Sequence, residues 1–206
     1  VVEYDGSEIK FSETSTHRLN KKDEMRYLVR NGKLNIQFCA PQRFKIFDNI
    51  LGKTLNVYIP KGFEAESILI DTISSKVNIE KLNALDIAIE SVSGGINVSN
   101  IFAESLKLET VSGRITADNC LVFSLESEQV SGSIDAEGIF DNIRCNSVSG
   151  DIKLSPGGNV EEIIAESVSG KIIISIPEHE GFTARYDSVS GDFKCDFPVT
   201  TSKKTA

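Results

Sequence analysis

One three-residue phrase, Val-Ser-Gly, recurs along the chain and limits the folds that it can adopt. The copies start 19, 19, 18, 20 and 21 residues apart, and a degenerate copy, Ile73-Ser74-Ser75, precedes the first by 19 residues. Their first residues are Val92, Val111, Val130, Val148, Val168 and Val189. A fixed period near 20 residues, carried by β-branched residues and glycine, is typical of a solenoid in which each repeat forms one turn.

Apolar residues flank each copy at regular positions. With the valine of each copy as position 0, apolar side chains recur at −5 and −3 and at +4 and +6; in the second copy these are Leu106, Leu108, Ile115 and Ala117. Such alternation predicts two short strands per turn. The sequence therefore predicts an all-β fold, a parallel β-solenoid or β-helix of about seven turns with repeats of ~19 residues.

The phase of this alternation changes once within each repeat, which indicates a corner. Positions 0, +2, +4 and +6 are in phase, so the valine and the glycine are predicted to face inward with the strand that follows. Positions −5 and −3 are out of phase, which puts the corner between −3 and 0. A corner at the glycine is the alternative, since glycine in a strand marks a bend or a close approach of another backbone. With the first corner the valines form one buried file, and Val130→Asp is expected to be severely destabilising.

The start of the chain lacks the repeat. Asn31-Gly32 lies between two alternating segments and predicts a β-hairpin, because both residues tolerate positive φ. Its buried side would carry Tyr27, Val29, Leu34, Ile36 and Phe38. We divide the chain into a β-rich N-terminal cap over 1–54, solenoid repeats over 55–199 and a polar tail over 200–206. The cap would cover the first turn, which otherwise exposes unpaired backbone groups.

Position −2 is acidic in nearly every turn, which predicts a column of carboxylates along one face. This acidic column comprises Asp71, Glu90, Glu109, Glu128, Glu166 and Asp187, with Asn146 as the exception. Carboxylates about 5 Å apart repel each other by roughly 1–3 kcal/mol, which Lys107, Arg144 and Arg185 at position −4, or cations from solvent, would relieve. The column is either a solvated edge that keeps other strands away or an interaction face. The candidate residues of that face are Glu90, Glu109, Glu128, Glu166 and Asp187.

The residue pattern predicts no catalytic, cofactor-binding or metal-binding residues. Position +1 is serine in every turn, but a nucleophilic serine needs a base, and His17 and His179 occur outside any catalytic motif. The four cysteines form no C-x-x-C pair, and no EF-hand or nonapeptide calcium pattern occurs. Cys145 and Cys195 fall on apolar positions, where buried thiols are expected.

The charge balance, 22 basic against 30 acidic residues or −8, argues against nucleic acid or an anionic membrane surface as the partner. No apolar run is long enough to cross a bilayer, so the given chain is not expected to insert into a membrane. The chain begins at Val1 and not at Met, which leaves an upstream segment as a candidate anchor.

The run 54–62, an apolar strand ending in Pro60-Lys61-Gly62, is followed by repeats of the type Glu-Ser-Val-Ser-Gly-x-Ile. This arrangement resembles the adhesin-like family of bacterial envelope-associated proteins of unknown function. The resemblance covers about residues 54–198 and departs at Ile73-Ser74-Ser75, which lacks glycine. It implies a β-solenoid, often attached to a membrane anchor in Gram-positive bacteria, and offers no established catalytic residues to carry over.

Three functions remain open. We favour a non-enzymatic module at the cell envelope or extracellular face that binds an envelope component or another protein, or serves as a structural element. A β-helical carbohydrate-active enzyme is the second, but it needs paired carboxylates across a groove, whereas the acidic residues here are evenly spread. A self-assembling cytoplasmic scaffold, joined through the exposed ends of the stack, is the third.

Overall fold

The computed structural model describes residues 1–16, 18–21, 23–37, 52–178, 181–185 and 194–198. These residues form thirteen strands and no helix. The strands are β1 Val2–Tyr4, β2 Lys10–Ser15, β3 Arg26–Arg30, β4 Lys33–Gln37, β5 Lys53–Pro60, β6 Glu64–Thr72, β7 Val77–Ser91, β8 Ile96–Ser112, β9 Ile115–Ser131, β10 Ile134–Ser149, β11 Ile152–Gly157, β12 Glu162–Ser169 and β13 Ile172–Ile174.

The repeats stack as a parallel β-solenoid. β7, β8, β9 and β10 pair in parallel along most of their length, β11 and β12 both pair with β10, and β13 pairs with β11. Ile96, Ile115 and Ile134, the +4 residues of successive copies, are direct partners across this sheet. The predicted fold class is confirmed, with about six turns at a spacing of about 19 residues. The turn predicted around Val189 lies outside the described residues.

The core consists of columns of stacked aliphatic side chains that run along the solenoid. In the repeats of Val92, Val111, Val130 and Val148, positions −5, −3, +4 and +6 face inward as the sequence predicts, and Leu106 and Ile115 are almost fully buried. In the last described turn Ile172 and Ile174 are 38% and 43% exposed. Parallel strands gain stability from β-branched and leucine side chains that pack on the same residue type one turn away. Because each turn buries its apolar face only against its neighbours, the stack is stable as a whole rather than turn by turn.

The predicted buried file of valines is wrong. Val92, Val111, Val130, Val148 and Val168 all point outward, and Val130 is 47% exposed. Inward alternation continues from −5 and −3 through position −1, where Ser91, Thr110, Gln129 and Ser147 are buried. The valine and the serine at +1 then both face outward, and the glycine at +2 turns inward. The phase of the alternation therefore changes at the valine and serine, positions 0 and +1. This is later than the predicted corner between −3 and 0, and it adjoins the glycine that was the alternative.

The N-terminal strands join the first turns of the stack. β1 pairs in parallel with β5 and β7, and β2 pairs antiparallel with β5. Val1, Ile9, Val57 and Phe63 pack against the solenoid core. The division of the chain at 54/55 and 199/200 stays a prediction.

β3 and β4 form the predicted hairpin around Asn31-Gly32. Asn31 and Gly32 adopt φ values of 51° and 74°, as a tight turn of this kind requires. Tyr27 and Val29 are exposed rather than buried, because no element of the described chain covers that face beyond one edge-on ring contact between Phe11 and Tyr27. Leu34 and Ile36 are half-buried, and Phe38 lies outside the described residues.

Candidate functional site: a groove along the stack

A groove with a volume of about 1220 Å³ runs along the stack at the corner of successive turns. Its lining repeats positions −2, −1 and 0, which form the acidic column, a floor row and a valine row. The floor row comprises Thr72, Ser91, Thr110, Gln129, Ser147 and Ser167. The valine row comprises Ile73, Val92, Val111, Val130, Val148 and Val168. Six rows at the usual strand spacing of ~4.8 Å make the groove about 24 Å long.

Strand pairing sets the residues of the acidic column side by side. Glu109 is the direct partner of both Glu90 and Glu128. Asn146 stands between Glu128 and Glu166. Asp71 extends the column at its N-terminal end, and Asp187 lies outside the described residues. The structure thus brings Glu90, Glu109, Glu128 and Glu166 into one row, while their use as an interaction face stays a prediction.

Two contacts reduce the repulsion within the acidic column. Nζ of Lys107 lies 2.7 Å from Oε1 of Glu109. The hydrogen bond and charge of Glu109, with smaller effects of Glu126 and Glu128, raise the pKa of Lys107 above its usual value. Nδ2 of Asn146 donates a 3.2 Å hydrogen bond to Oε1 of Glu128. The one neutral member of the row therefore removes a like charge and supplies a donor to its neighbour.

The floor row is polar although it faces inward. Oγ of Ser91 accepts a 2.9 Å hydrogen bond from the backbone N–H of Gly94, and Oγ1 of Thr110 donates to the carbonyl of Gly94. Nε2 of Gln129 donates to Oγ of Ser147 over 3.5 Å. Buried backbone groups at a tight corner need partners, and Ser91 and Thr110 provide them for Gly94.

Three acceptor atoms along this lining have no hydrogen-bond partner among the described residues. They are Oε1 of Gln129, Oδ1 of Asn146 and Oγ of Ser167. Gln129 is 5% exposed, and its side chain faces the interior of the stack, where its amide lies against Gly132 and Gly150. An unpaired buried acceptor carries a free-energy cost.

Sequence reasoning missed the valine row as part of the groove and missed the inward placement of Gln129. Because β-branched residues in repeats are usually buried, the valine was predicted to point into the core. The glutamine beside it, being polar, was expected to point into solvent. The alternation of side chains along a strand could have shown the correct directions, because −1 is separated from −5 and −3 by even numbers of residues and so points to the same side. One serine at +1 has a structural contact between turns, because Oγ of Ser93 donates to the carbonyl of Ile73 over 3.0 Å.

Within the described ranges, no three His, Cys, Asp or Glu side chains lie close enough together to hold a metal ion. The same part of the chain contains no helix of the length and apolar character needed to cross a membrane. His17 and His179 lie outside the described residues.

Comparison with known proteins identifies one family. The family described as Toastrack DUF4097 matches residues 3–206. Comparisons with curated proteins and with solved structures give no match.

Proposed function

The chain belongs to the Toastrack DUF4097 family, and from this premise we propose that its groove is the binding surface of a non-enzymatic module of the bacterial cell envelope. The observation that carries the proposal is the alignment of two rows of opposite chemistry. The acidic column and the exposed valine row follow the same groove through six successive turns.

The two rows favour an extended polypeptide segment with alternating cationic and aliphatic side chains. Successive side chains of an extended chain point to opposite sides, so one set would face the carboxylates and the other the valines. Such a segment rises about 3.3 Å per residue, and about seven residues would fill the 24 Å groove. Carboxylates at regular steps attract basic groups, and the exposed valines would lose contact with water on binding.

A binding role accounts for the even distribution of the acidic side chains. Each described turn places one residue of position −2 at the groove, a carboxylate in all but the turn of Asn146, and none of these turns supplies the facing carboxylate pair that glycoside hydrolysis uses. The Ser93 hydroxyl is engaged with a carbonyl one turn away, which suits a structural role for it. These features support a binding module rather than an enzyme.

The envelope location is supported by the resemblance to adhesin-like, envelope-associated proteins. In this proposal the solenoid lies at the extracellular face and presents the groove to a neighbouring protein. An adhesin-like role would follow if that protein belongs to another cell.

Retention on isolated envelope fractions of the native cell tests the proposal. Glu90→Lys/Glu166→Lys reverses two exposed carboxylates of the groove, and it should reduce retention severalfold while the melting temperature stays close to that of the parent. Glu104→Lys/Glu137→Lys is the matched control, because it makes the same change in net charge at exposed residues that do not line the groove.

Equal retention of the groove variant and the parent would remove the groove as the binding surface. Treatment of the envelope with a protease should abolish retention. Retention that survives the protease and is lost after glycan hydrolysis would overturn the polypeptide partner in favour of a polysaccharide.

A further inference from the structure

Resting on the proposed function, we infer that the hairpin β3–β4 of one copy of this chain binds in the groove of a second copy. The segment that enters the groove is β3, Arg26–Arg30. Each copy carries both this hairpin and this groove, so the pairing joins copies into a reciprocal dimer or a head-to-tail chain.

The hairpin lies in a basic part of an acidic chain. Residues 18–37 contain six basic and two acidic residues, or +4, which leaves −12 for the rest of a chain whose total is −8. Arg26, Arg30 and Lys33 are exposed, and none of them forms an ion pair within the described part of the chain. Arg30 and Lys33 are direct partners across the hairpin, so their like charges repel. An acidic binding surface would relieve that repulsion.

The two faces of β3 differ in chemistry. Because side chains alternate along a strand, Arg26 and Arg30 share one face, with Leu28 between them, and Tyr27 and Val29 share the other. Tyr27, Leu28 and Val29 are between 58% and 63% exposed. Exposed apolar side chains next to one another are typical of an interaction surface. The strand thus has the cationic and apolar sides of the segment for which the groove is suited.

The charges of β3 match the spacing of the acidic column. Four residues at a rise of about 3.3 Å separate Arg26 from Arg30 by ~13 Å, close to three column steps of ~4.8 Å. Glu109 and Glu166 are three steps apart in that column. With the arginines over the acidic column, the opposite face of β3 lies over the valine row, and both apolar surfaces lose contact with water.

A second copy accounts for the hairpin better than an anionic lipid surface does. Such a surface would attract the hairpin but repel the rest of the chain, which carries −12. When two copies pair, that negative charge is part of the attraction, because the carboxylates of one groove face the cations of the other hairpin.

Sedimentation velocity of the full chain at several concentrations tests this pairing. The parent should associate with a dissociation constant in the micromolar range at low salt, and less in high salt, because contacts between exposed charges are screened. The hairpin variant, Arg26→Glu/Arg30→Glu, and the groove variant, Glu90→Lys/Glu166→Lys, should each raise the dissociation constant at least about tenfold.

Lys76→Glu/Arg114→Glu is the matched control for the hairpin variant, and it should associate like the parent. It makes the same change in net charge at exposed residues outside the hairpin and the groove lining.

The hairpin variant and the groove variant each keep one intact half of the contact. An equimolar mixture of the two should therefore form a one-to-one complex, because the intact groove of the first receives the intact hairpin of the second. A misfolded variant could not produce this result. A mixture that stays monomeric overturns the inference, as does equal association of the parent and the hairpin variant.

A parent that stays monomeric at several hundred micromolar also overturns the inference. If that parent binds phosphatidylglycerol vesicles and the hairpin variant does not, a lipid surface replaces the second copy. In each of these cases the proposed function still stands if the groove variant loses retention on the envelope. Equal retention of the groove variant and the parent is the separate result that removes the proposed function.

Discussion

A β-carbon on Gly113 would lie 2.5 Å from the carbonyl oxygen of Gly94 in the preceding turn. Real β-carbons essentially never approach an oxygen so closely, so the two backbones can pass only because position +2 has no side chain. This close approach explains why the repeat phrase ends in glycine, and it sets the corner that leaves the preceding valine outside.

Gly113→Ala should destabilise the protein by about 1–3 kcal/mol, because the backbone of a mid-stack turn must shift to admit the methyl group. Denaturant unfolding measures this loss. Gly95→Ala is the matched control, since its β-carbon would meet the nearest atom, the Arg114 carbonyl oxygen, at 3.4 Å. Equal stability of the two variants would contradict the steric role of the +2 glycine.

The buried thiol of Cys145 gives a pH-dependent prediction. Burial raises the pKa of Cys145 from its ordinary value of 9.0 to about 12. Above pH 9 the unfolded chain loses a proton that the native thiol keeps, so stability falls as the pH rises from 9 toward 12 and is unaffected below that window. Between pH 8 and 10 the parent should lose about 1.4 kcal/mol more than Cys145→Ala, measured by urea unfolding. Parallel losses in the two proteins would show that Cys145 ionises normally in the fold.

The exposed Val130 reverses the expectation from sequence. Val130→Asp should now change the melting temperature by no more than a few degrees, because the side chain lies in solvent. Ile134→Asp, four residues later and 1% exposed, should prevent folding or lower the melting temperature steeply, since it buries an unpaired charge. Thermal unfolding of the two variants side by side decides the corner, and a severe loss in Val130→Asp would restore the inward valines.

The repeat period predicted the solenoid well, because stacking requires apolar residues at the same positions of every turn. Ile96, Ile115 and Ile134 recur in register, and such repetition leaves few alternative folds. The corner was harder to predict, because at positions −1 and 0 the hydrophobicity of the residues and the strand alternation indicate opposite directions for the side chains. Valine at 0 suggested an inward residue, whereas the polar residues at −1 are the buried ones, held by hydrogen bonds to the backbone that sequence alone does not display.

The same disagreement explains the partial prediction of the groove. The acidic column was visible as a spacing and lies in one row in the structure. Its partner, the valine row, was assigned to the core and was therefore absent from the predicted face. Gln129 appeared as one irregular polar residue, since the two glycines that hold its amide come from different turns of the stack.

The groove as a joint acidic and aliphatic surface is tested most directly by the affinity of acetyl-Leu-Lys-Leu-Lys-Leu-Lys-Leu-amide for a variant of the valine row. Val111→Thr/Val130→Thr keeps side-chain shape and strand propensity and places two hydroxyls against the bound leucines. Each buried hydroxyl without a partner costs about 1–3 kcal/mol, so the calorimetric Kd should rise at least about tenfold with the melting temperature unchanged. Leu121→Thr/Ile139→Thr, on exposed residues outside the groove, should bind like the parent. An unchanged Kd for the valine-row variant would contradict the account.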